Sequence, residues 1–292
     1  MMVKKFSPVA FKFVQLLMNV NIAKHALKLN LKPYKNIYPP ITTIAAGLAF
    51  LWPVKKTLKD TKLEHKTTLE TADNLFDNGH YEECYNLLLS CPEPDVEINW
   101  RVCRVLYNMS KESKYDKAYK KDLILKAFDL ISQVIIEHHE HYAVQKWYAL
   151  LLDAKCTYEG IKERIRQLET IKKHMDLAVT LNPNDATTLH MLGEWCFQVS
   201  ELPWHQRKIA EALFAAPPQS TYEDALEYFL RAEAVQPRFY SINLLRIGNC
   251  YIRLQKEDQA KYYLKLAASY PAKSNDDHHA NKEAAELLNK LK

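Results

Sequence analysis

From about position 63 onward, apolar residues recur at intervals of three and four. This spacing places them on one face of an α-helix. The clearest stretch joins a row of large and small residues on one helix to an alanine-containing row on the next: Leu244, Ile247, Gly248 and Tyr251, then Ala260, Leu264 and Ala267. The pattern predicts two helices packed closely as a hairpin.

The same order recurs upstream, with an interruption between its two halves. Its members are Leu189, Leu192, Gly193 and Cys196, then Ala225, Phe229, Ala232 and Pro237. This is the tetratricopeptide (TPR) pattern. It consists of a large residue, then a small residue that allows close approach, and then a partner helix with alanine at its contact positions. The sequence therefore predicts an all-α, TPR-like helical-hairpin solenoid.

Three weaker hairpins precede these two copies. Their main apolar positions are Leu69, Ala72, Leu75, Cys84 and Leu88; Trp100, Cys103, Tyr107, Ala127, Ile131 and Val134; and Trp147, Leu150, Leu151, Ile171, Met175 and Ala178. Each helix alone would expose an apolar stripe, and stacking buries it. We expect residues 61–292 to form one array, with a helix at 281–291 covering its end.

The fourth repeat carries the largest insertion, residues 201–219. We expect a short amphipathic helix at 206–214, followed by Pro217-Pro218 and a capping box from Ser220 to Glu223. Insertions in repeat proteins often lie on the binding face. The insertion is therefore a candidate site of interaction with a partner.

Residues 1–60 form a separate basic leader, in which every charge before Asp60 is a lysine. An apolar run at 37–54 barely reaches the length of about 17 residues that a spanning helix needs. Three interpretations stay open: a short membrane anchor, a mitochondrial transit segment, or an amphipathic leader that docks on the protein or stays loose. Transit segments favour Arg and Ser, which are scarce here.

Composition narrows the functional classes. The chain has only five glycines in 292 residues, against a usual content of about 7%, which disfavours β-rich folds and glycine-rich phosphate loops. Ten lysines lie before position 60, so residues 60–292 carry 30 basic and 35 acidic residues. Nucleic-acid binding needs clustered cations and is not expected for this part. Six scattered cysteines suggest buried thiols.

Candidate catalytic and metal-binding clusters are weak. Residues 138–141 (HHEH) are interpreted as a solvated helix end and residues 276–279 (DDHH) as a polar linker, because neither has the spacing of a zinc site. The sequence contains no P-loop, GxGxxG, HExxH or GxSxG motif. We therefore expect no enzymatic activity and no cofactor.

In a TPR array the first helix of each hairpin lines the binding groove. Here the predicted lining residues are Arg101, Val105, Tyr148, Leu152, His190, Met191, Glu194, Phe197, Leu245, Asn249 and Ile252. The set is largely apolar with scattered polar groups, which favours an amphipathic helix or an acyl chain as ligand. The alternative is that the insertion or the N-terminal segment fills the groove.

The insertion adds four candidates: Trp204, His205, Arg207 and Lys208. An Arg-Lys pair beside an aromatic ring can hold a phosphate or a carboxylate-rich tail. The alternative is a structural lid, with Trp204 and Phe214 buried and the basic residues in solvent.

Several segments resemble the regulator of microtubule dynamics family: KWYALLL at 146–152, YEGIKERI at 158–165, LNPNDATTLHMLGEW at 181–195, PWHQRKIAEALFAAPPQSTYEDALEYFLRAE at 203–233 and PRFYSINLLRIGNCYIRL at 237–254. The long fourth segment is the most specific, because TPR repeats in general lack this insertion. The resemblance covers roughly residue 63 to the end.

The resemblance implies a non-enzymatic TPR-like adaptor associated with microtubules and spindle poles. It further implies a cytoplasmic or mitochondrial location and a role in microtubule organisation or chromosome segregation. The alternative is a mitochondrial protein anchored through residues 37–54, whose groove binds lipid or an amphipathic helix at membrane contacts.

Overall fold

The computed structural model describes residues 58–214 and 216–291. The basic leader, with its candidate anchor at 37–54, lies outside them except for its last residues. No strand occurs in the described ranges, and no helix there is both long and apolar enough to cross a membrane.

Thirteen helices make up the described part of the chain. They are α1 (Leu58–Asp77), α2 (Tyr81–Leu89), α3 (Val96–Met109), α4 (Lys117–Glu137), α5 (Tyr142–Glu159), α6 (Ile161–Arg166), α7 (Leu168–Leu181), α8 (Ala186–Ser200), α9 (Trp204–Leu213), α10 (Tyr222–Val235), α11 (Ser241–Arg253), α12 (Glu257–Ala268) and α13 (Asn275–Lys290).

The helices pair as the repeat pattern predicts. The hairpins are α1–α2, α3–α4, α5–α7, α8–α10 and α11–α12, and α13 packs against both helices of the last hairpin. A buried apolar core runs through the stack, from Ala72 in α1 to Ala284 in α13. The TPR-like solenoid is therefore confirmed.

Short inserted helices interrupt two consecutive hairpins, α6 in the third and α9 in the fourth. The two pack against each other. The insertion in the fourth repeat thus has a structural counterpart in the third, which the sequence pattern did not indicate.

Glycines mark the points where paired helices approach most closely. A Cβ atom on Gly193 of α8 would stand 2.5 Å from the Phe229 ring of α10, and one on Gly248 of α11 would stand 2.7 Å from Leu264 of α12. Both distances are too short for a carbon contact. The small residues of the repeat pattern therefore make room for the large residues of the partner helix.

The structure corrects three predictions about where helices begin, end and are capped. The capping box of α10 uses Thr221 and Asp224, not Ser220 and Glu223. The Asp224 amide donates a hydrogen bond to the Thr221 hydroxyl at 3.1 Å. The inserted helix spans Trp204–Leu213 rather than 206–214. These shifts of one or two residues are typical of helix termini.

The third correction concerns the last helix, which begins at Asn275 instead of 281. The predicted polar linker at 276–279 is its first turn. Asp277 accepts hydrogen bonds from the amide and hydroxyl of Ser274 at 2.9 and 2.8 Å, and from the Ser241 hydroxyl of α11 at 2.6 Å. The acidic residues therefore start the helix, where the helix dipole favours them, and tie it to α11.

We predict that Gly193→Ala fails to stabilise the protein as an ordinary helical Gly→Ala change would, and has a net cost of up to about 2 kcal/mol. Helix propensity alone would favour alanine by about 1 kcal/mol, but overpacking against the buried Phe229 ring costs about 1–3 kcal/mol. Urea unfolding of Gly193→Ala, Phe229→Leu and the double variant measures the coupling. The smaller leucine side chain in the double variant should relieve the clash, and additive losses would contradict this account.

Candidate functional site: a groove along the first helices

A groove with a volume of about 990 Å³ runs along the first helices of successive hairpins. Its wall is formed by α3, α5 and α8, the segment before α11 and the start of α13. Main contributors are Trp100, Arg104, Tyr107, Lys111, Lys146, Trp147, Leu150, Asp153, His190, Met191, Glu194, Trp195, Tyr240 and Asp276. The surface combines large aromatic rings with charges of both signs.

The section between α3 and α5 is rich in aromatic rings. Tyr107 and Trp147 meet edge to face with centroids 5.8 Å apart. The Arg104 guanidinium lies 3.9 Å from the Phe76 centroid and 5.1 Å from that of Trp100. Such stacking fixes the guanidinium against the wall.

Asp73 of α1 fixes two arginines in this section. Its carboxylate accepts a hydrogen bond from Arg101 at 2.8 Å and another from Arg104. Burial alone would raise the pKa of Asp73, but the two guanidinium groups outweigh it and hold the pKa below its usual value. The carboxylate is therefore ionised near neutral pH.

Two donors in the same section have no hydrogen-bond partner among the described residues, the Nε of Arg104 and the Nε1 of Trp147. Trp147 is only 7% exposed, and both residues line the groove. An unpaired buried donor costs about 1–3 kcal/mol. Both nitrogen atoms are shielded from solvent, so the cost is borne within the wall, and a ligand in the groove contacts the rings around them.

Most other charges of the wall are paired within the protein. Lys146 forms an ion pair at 2.9 Å with Asp185, the residue immediately before α8. Arg164 of α6 pairs with Asp153 at 2.8 Å, and Glu194 pairs with Arg246 of α11. The first and last of these pairs join consecutive repeats. The wall is therefore rigid and close to electroneutral over most of its length.

At the far end, His190 is buried and structural. Burial lowers its pKa, so the ring is neutral near pH 7. Its Nδ1 lies 3.0 Å from Asn243 Oδ1, while Asn243 Nδ2 donates to the Phe229 carbonyl at 3.1 Å. Burial, together with nearby Asp276, raises the pKa of Tyr240, so this phenol remains a neutral donor.

Three of the predicted groove residues line this cavity: His190, Met191 and Glu194. Four others are buried in the core: Val105, Leu152, Phe197 and Leu245. The remaining four are partly buried and lie elsewhere: Arg101 pairs with Asp73, Tyr148 packs on His174, Asn249 faces Glu283, and Ile252 packs near the C-terminal helices.

Sequence reasoning missed Arg104, Tyr107, Lys111 and Trp147. A helix with apolar residues on two faces does not reveal which face meets the partner helix and which lines the groove. The predicted core position of Trp147 is confirmed, since the residue is 7% exposed, but the pattern does not show that the same residue also borders the groove. The concentration of indole and phenol rings, which carry polar atoms that need partners when buried, was the available signal.

The structure contradicts one of the two interpretations of the insertion residues. Trp204 is 76% exposed, so the structural lid with a buried Trp204 is wrong. Arg207 donates to the carbonyls of Leu202 and Ser200 at 3.0 and 3.1 Å, and Lys208 pairs with Glu211 at 2.8 Å. His205 contacts only the Trp204 ring edge among the interactions that the structure gives it.

The histidine cluster at 138–141 has a structural contact. His141 Nε2 lies 3.0 Å from Glu97 Oε1 of α3, which joins the second and third repeats. No group of three or more His, Cys, Asp or Glu side chains is arranged to hold a metal ion within the described ranges. All six cysteines are free thiols, and five of them are buried.

The fold and the groove define a TPR-like helical-repeat protein. Its fold is similar to the crystal structure of a thermophilic TPR protein from Thermus thermophilus, with a TM-score of 0.54 and 13% identity over 76% of this chain and 99% of that one. Likeness at this level of identity concerns the fold alone.

Sequence comparison identifies the family. The family described as Regulator of microtubule dynamics protein 1-3 matches residues 68–292. Regulator of microtubule dynamics protein 1 from Bos taurus is 42% identical over 226 residues, 77% of this chain and 71% of that protein. Regulator of microtubule dynamics protein 2 from Rattus norvegicus is 30% identical over 252 residues, 82% and 60% of the two chains. The chain therefore belongs to the regulator of microtubule dynamics family.

We predict that Asp73→Asn lowers the free energy of unfolding by about 1–2 kcal/mol at pH 7, because hydrogen bonds to charged groups are worth about 1.5–3 kcal/mol and Asp73 is partly exposed. The pKa of Asp73 is lowered in the folded state, so its contribution exists above the unfolded pKa of about 3.9 and is lost as pH falls through the folded value.

Urea unfolding at pH 7 and pH 3 measures this difference. The gap between wild type and Asp73→Asn should shrink at pH 3. The exposed Asp129 on α4 provides the control, since Asp129→Asn should change stability little at either pH. A gap that is the same at both pH values would contradict the assignment.

Proposed function

We propose that this protein is a non-enzymatic TPR-like adaptor that associates with microtubules and holds a segment of a partner protein in its groove. The names of its relatives support the association with microtubules. The groove along the first helices supports the adaptor role, because its wall combines aromatic rings with charged groups of both signs, which suits the side chains and main chain of a bound peptide.

The charges along the wall bear on what the groove binds. Asp153 with Arg164 and Glu194 with Arg246 place fixed ion pairs beside the aromatic rings. An acyl chain gains nothing from such groups, whereas a peptide can bond to them while its side chains pack on the rings. The composition of the wall therefore favours a peptide over a lipid.

A second candidate function remains, a membrane-anchored protein whose groove binds lipid or an amphipathic helix at mitochondrial contacts. It is favoured by the apolar area that Trp100, Trp147 and Trp195 contribute to the wall. In either case we propose a cytoplasmic protein found at microtubules and spindle poles and associated with mitochondria, with a role in microtubule organisation or chromosome segregation.

We expect the purified full chain to cosediment with polymerised tubulin and to remain in the supernatant without it. Because ten lysines lie before position 60, part of this attraction is expected to be electrostatic, and the bound fraction should fall as salt is raised from about 50 to about 200 mM. Absence of the protein from the microtubule pellet at low salt would contradict the proposed association.

Native mass spectrometry of the full chain separates the two groove ligands. We expect no stoichiometric copurifying lipid on the wild type. A lipid that is lost in Met191→Arg, which obstructs the groove, but kept in the control Leu177→Arg, on the exposed face of α7, would favour the membrane-contact function instead.

A further inference from the structure

The first turns of α4 carry an unusual concentration of positive charge. The helix begins at Lys117, and Lys120 and Lys121 follow, with no acidic residue in its first turn. Lys117 and Lys121 are exposed and Lys120 is half-buried. We call these three residues the α4 lysine surface.

This arrangement opposes the local electrostatics of a helix. The helix N-terminus carries a partial positive charge that favours acidic residues there. Lysines at spacings of three and four also repel each other on the same side of the helix. Each effect costs a few tenths of a kcal/mol, so the α4 lysine surface does not serve the stability of α4.

The fold leaves this charge uncompensated. None of the three lysines makes an ion pair with any residue in the described part of the chain, although Lys126, further along the helix, pairs with Asp122 at 2.8 Å. Some exposed basic groups elsewhere are used internally, as with Arg207 on two carbonyls and Lys208 on Glu211, and others stand unpaired; the α4 lysine surface differs in placing three such cations within five residues of one helix.

The turn that leads into α4 is held in one conformation. Lys114 bridges Glu82 of α2 and Glu112 at 3.1 and 3.2 Å. Asp116 accepts a hydrogen bond from the Tyr119 amide at 2.8 Å, and the rings of Tyr115 and Tyr119 pack with centroids 4.8 Å apart. The lysines therefore project from an ordered support.

The α4 lysine surface stands out against the charge of the rest of the array. Residues 60–292 carry five more acidic than basic residues, so an acidic partner is repelled by most of this part of the chain. A local positive surface on such a background orients an approaching acidic partner. Charge complementarity thus specifies both the partner's chemistry and the face that it meets.

We propose that the α4 lysine surface docks an acidic protein surface and is the face of the array that contacts the acidic exterior of the microtubule. The second part rests on the proposed association with microtubules. A partner held there would supply the acidic counter-charge that these three lysines lack within the described part of the chain.

The test compares Lys117→Glu/Lys120→Glu/Lys121→Glu with a control of equal charge change, Lys256→Glu/Lys282→Glu/Lys290→Glu, in the full chain. The control lysines are exposed and make no ion pair with described residues. Microtubule cosedimentation should weaken about tenfold for the α4 variant, which corresponds to about 1.4 kcal/mol over the three sites together, and much less for the control.

Thermal unfolding separates docking from folding. Acidic residues at the start of α4 suit the helix dipole, so the α4 variant should keep its Tm or gain a few degrees, about 2–4 °C per kcal/mol for a domain of this size. Weaker binding together with an unchanged or higher Tm supports the proposal. Equal weakening in both variants, or a loss of binding that follows a loss of Tm, would overturn it.

Failure of the docking surface and failure of the microtubule association are distinguishable. If the wild type does not cosediment, the association with microtubules is wrong. The docking surface is then still tested with poly-L-glutamate, which the wild type should bind and the α4 variant should not. If wild type and α4 variant cosediment equally, the association stands and the surface is wrong. Stronger α4-dependent binding to phosphatidylserine vesicles than to microtubules or poly-L-glutamate would replace the protein partner by a membrane.

Discussion

The close approach of paired helices at Gly193 and Gly248 determines the geometry of the repeat stack. At these positions the partner side chains, Phe229 and Leu264, occupy the space that a Cβ atom would need. The packed helices then present one side of α3, α5 and α8 to a common groove. The positions of His190 and Trp195 of α8 in the groove wall therefore depend on the contact that the same helix makes with α10 at Gly193.

Ion pairs between repeats maintain this arrangement where apolar packing gives way to the groove. Asp73 connects α1 to α3, Asp185 connects the start of α8 to α5, and Glu194 connects α8 to α11. Because these carboxylates are already paired with basic groups, they hold neighbouring helices together and add no net charge to the wall. The cations at the start of α4, which have no acidic partner among the described residues, are therefore groups through which the surface can recognise an acidic partner.

The α-helical class, the hairpin order, the close-contact glycines and the position of the insertion followed from residue spacing, because burial imposes the same period on every repeat. The groove did not follow. Val105 and Leu152 are as apolar as a ligand-binding surface requires, yet they are buried between helices, and only packing distinguishes the two faces. The sequence also did not predict that helix α6 packs against α9, because a six-residue helix is too short to show a periodic pattern of apolar residues.

The sequence alone determined that this chain folds as a TPR-like array, because helix periodicity and small-to-large contacts are local and repeated. Only the tertiary structure decided which polar groups are already satisfied. Arg207 and Lys208 looked available in the sequence but bond within the insertion. Lys117, Lys120 and Lys121 attracted no notice, yet they are left without acidic partners among the described residues. Charge compensation depends on distances between side chains, and those are set by the packing of the helices.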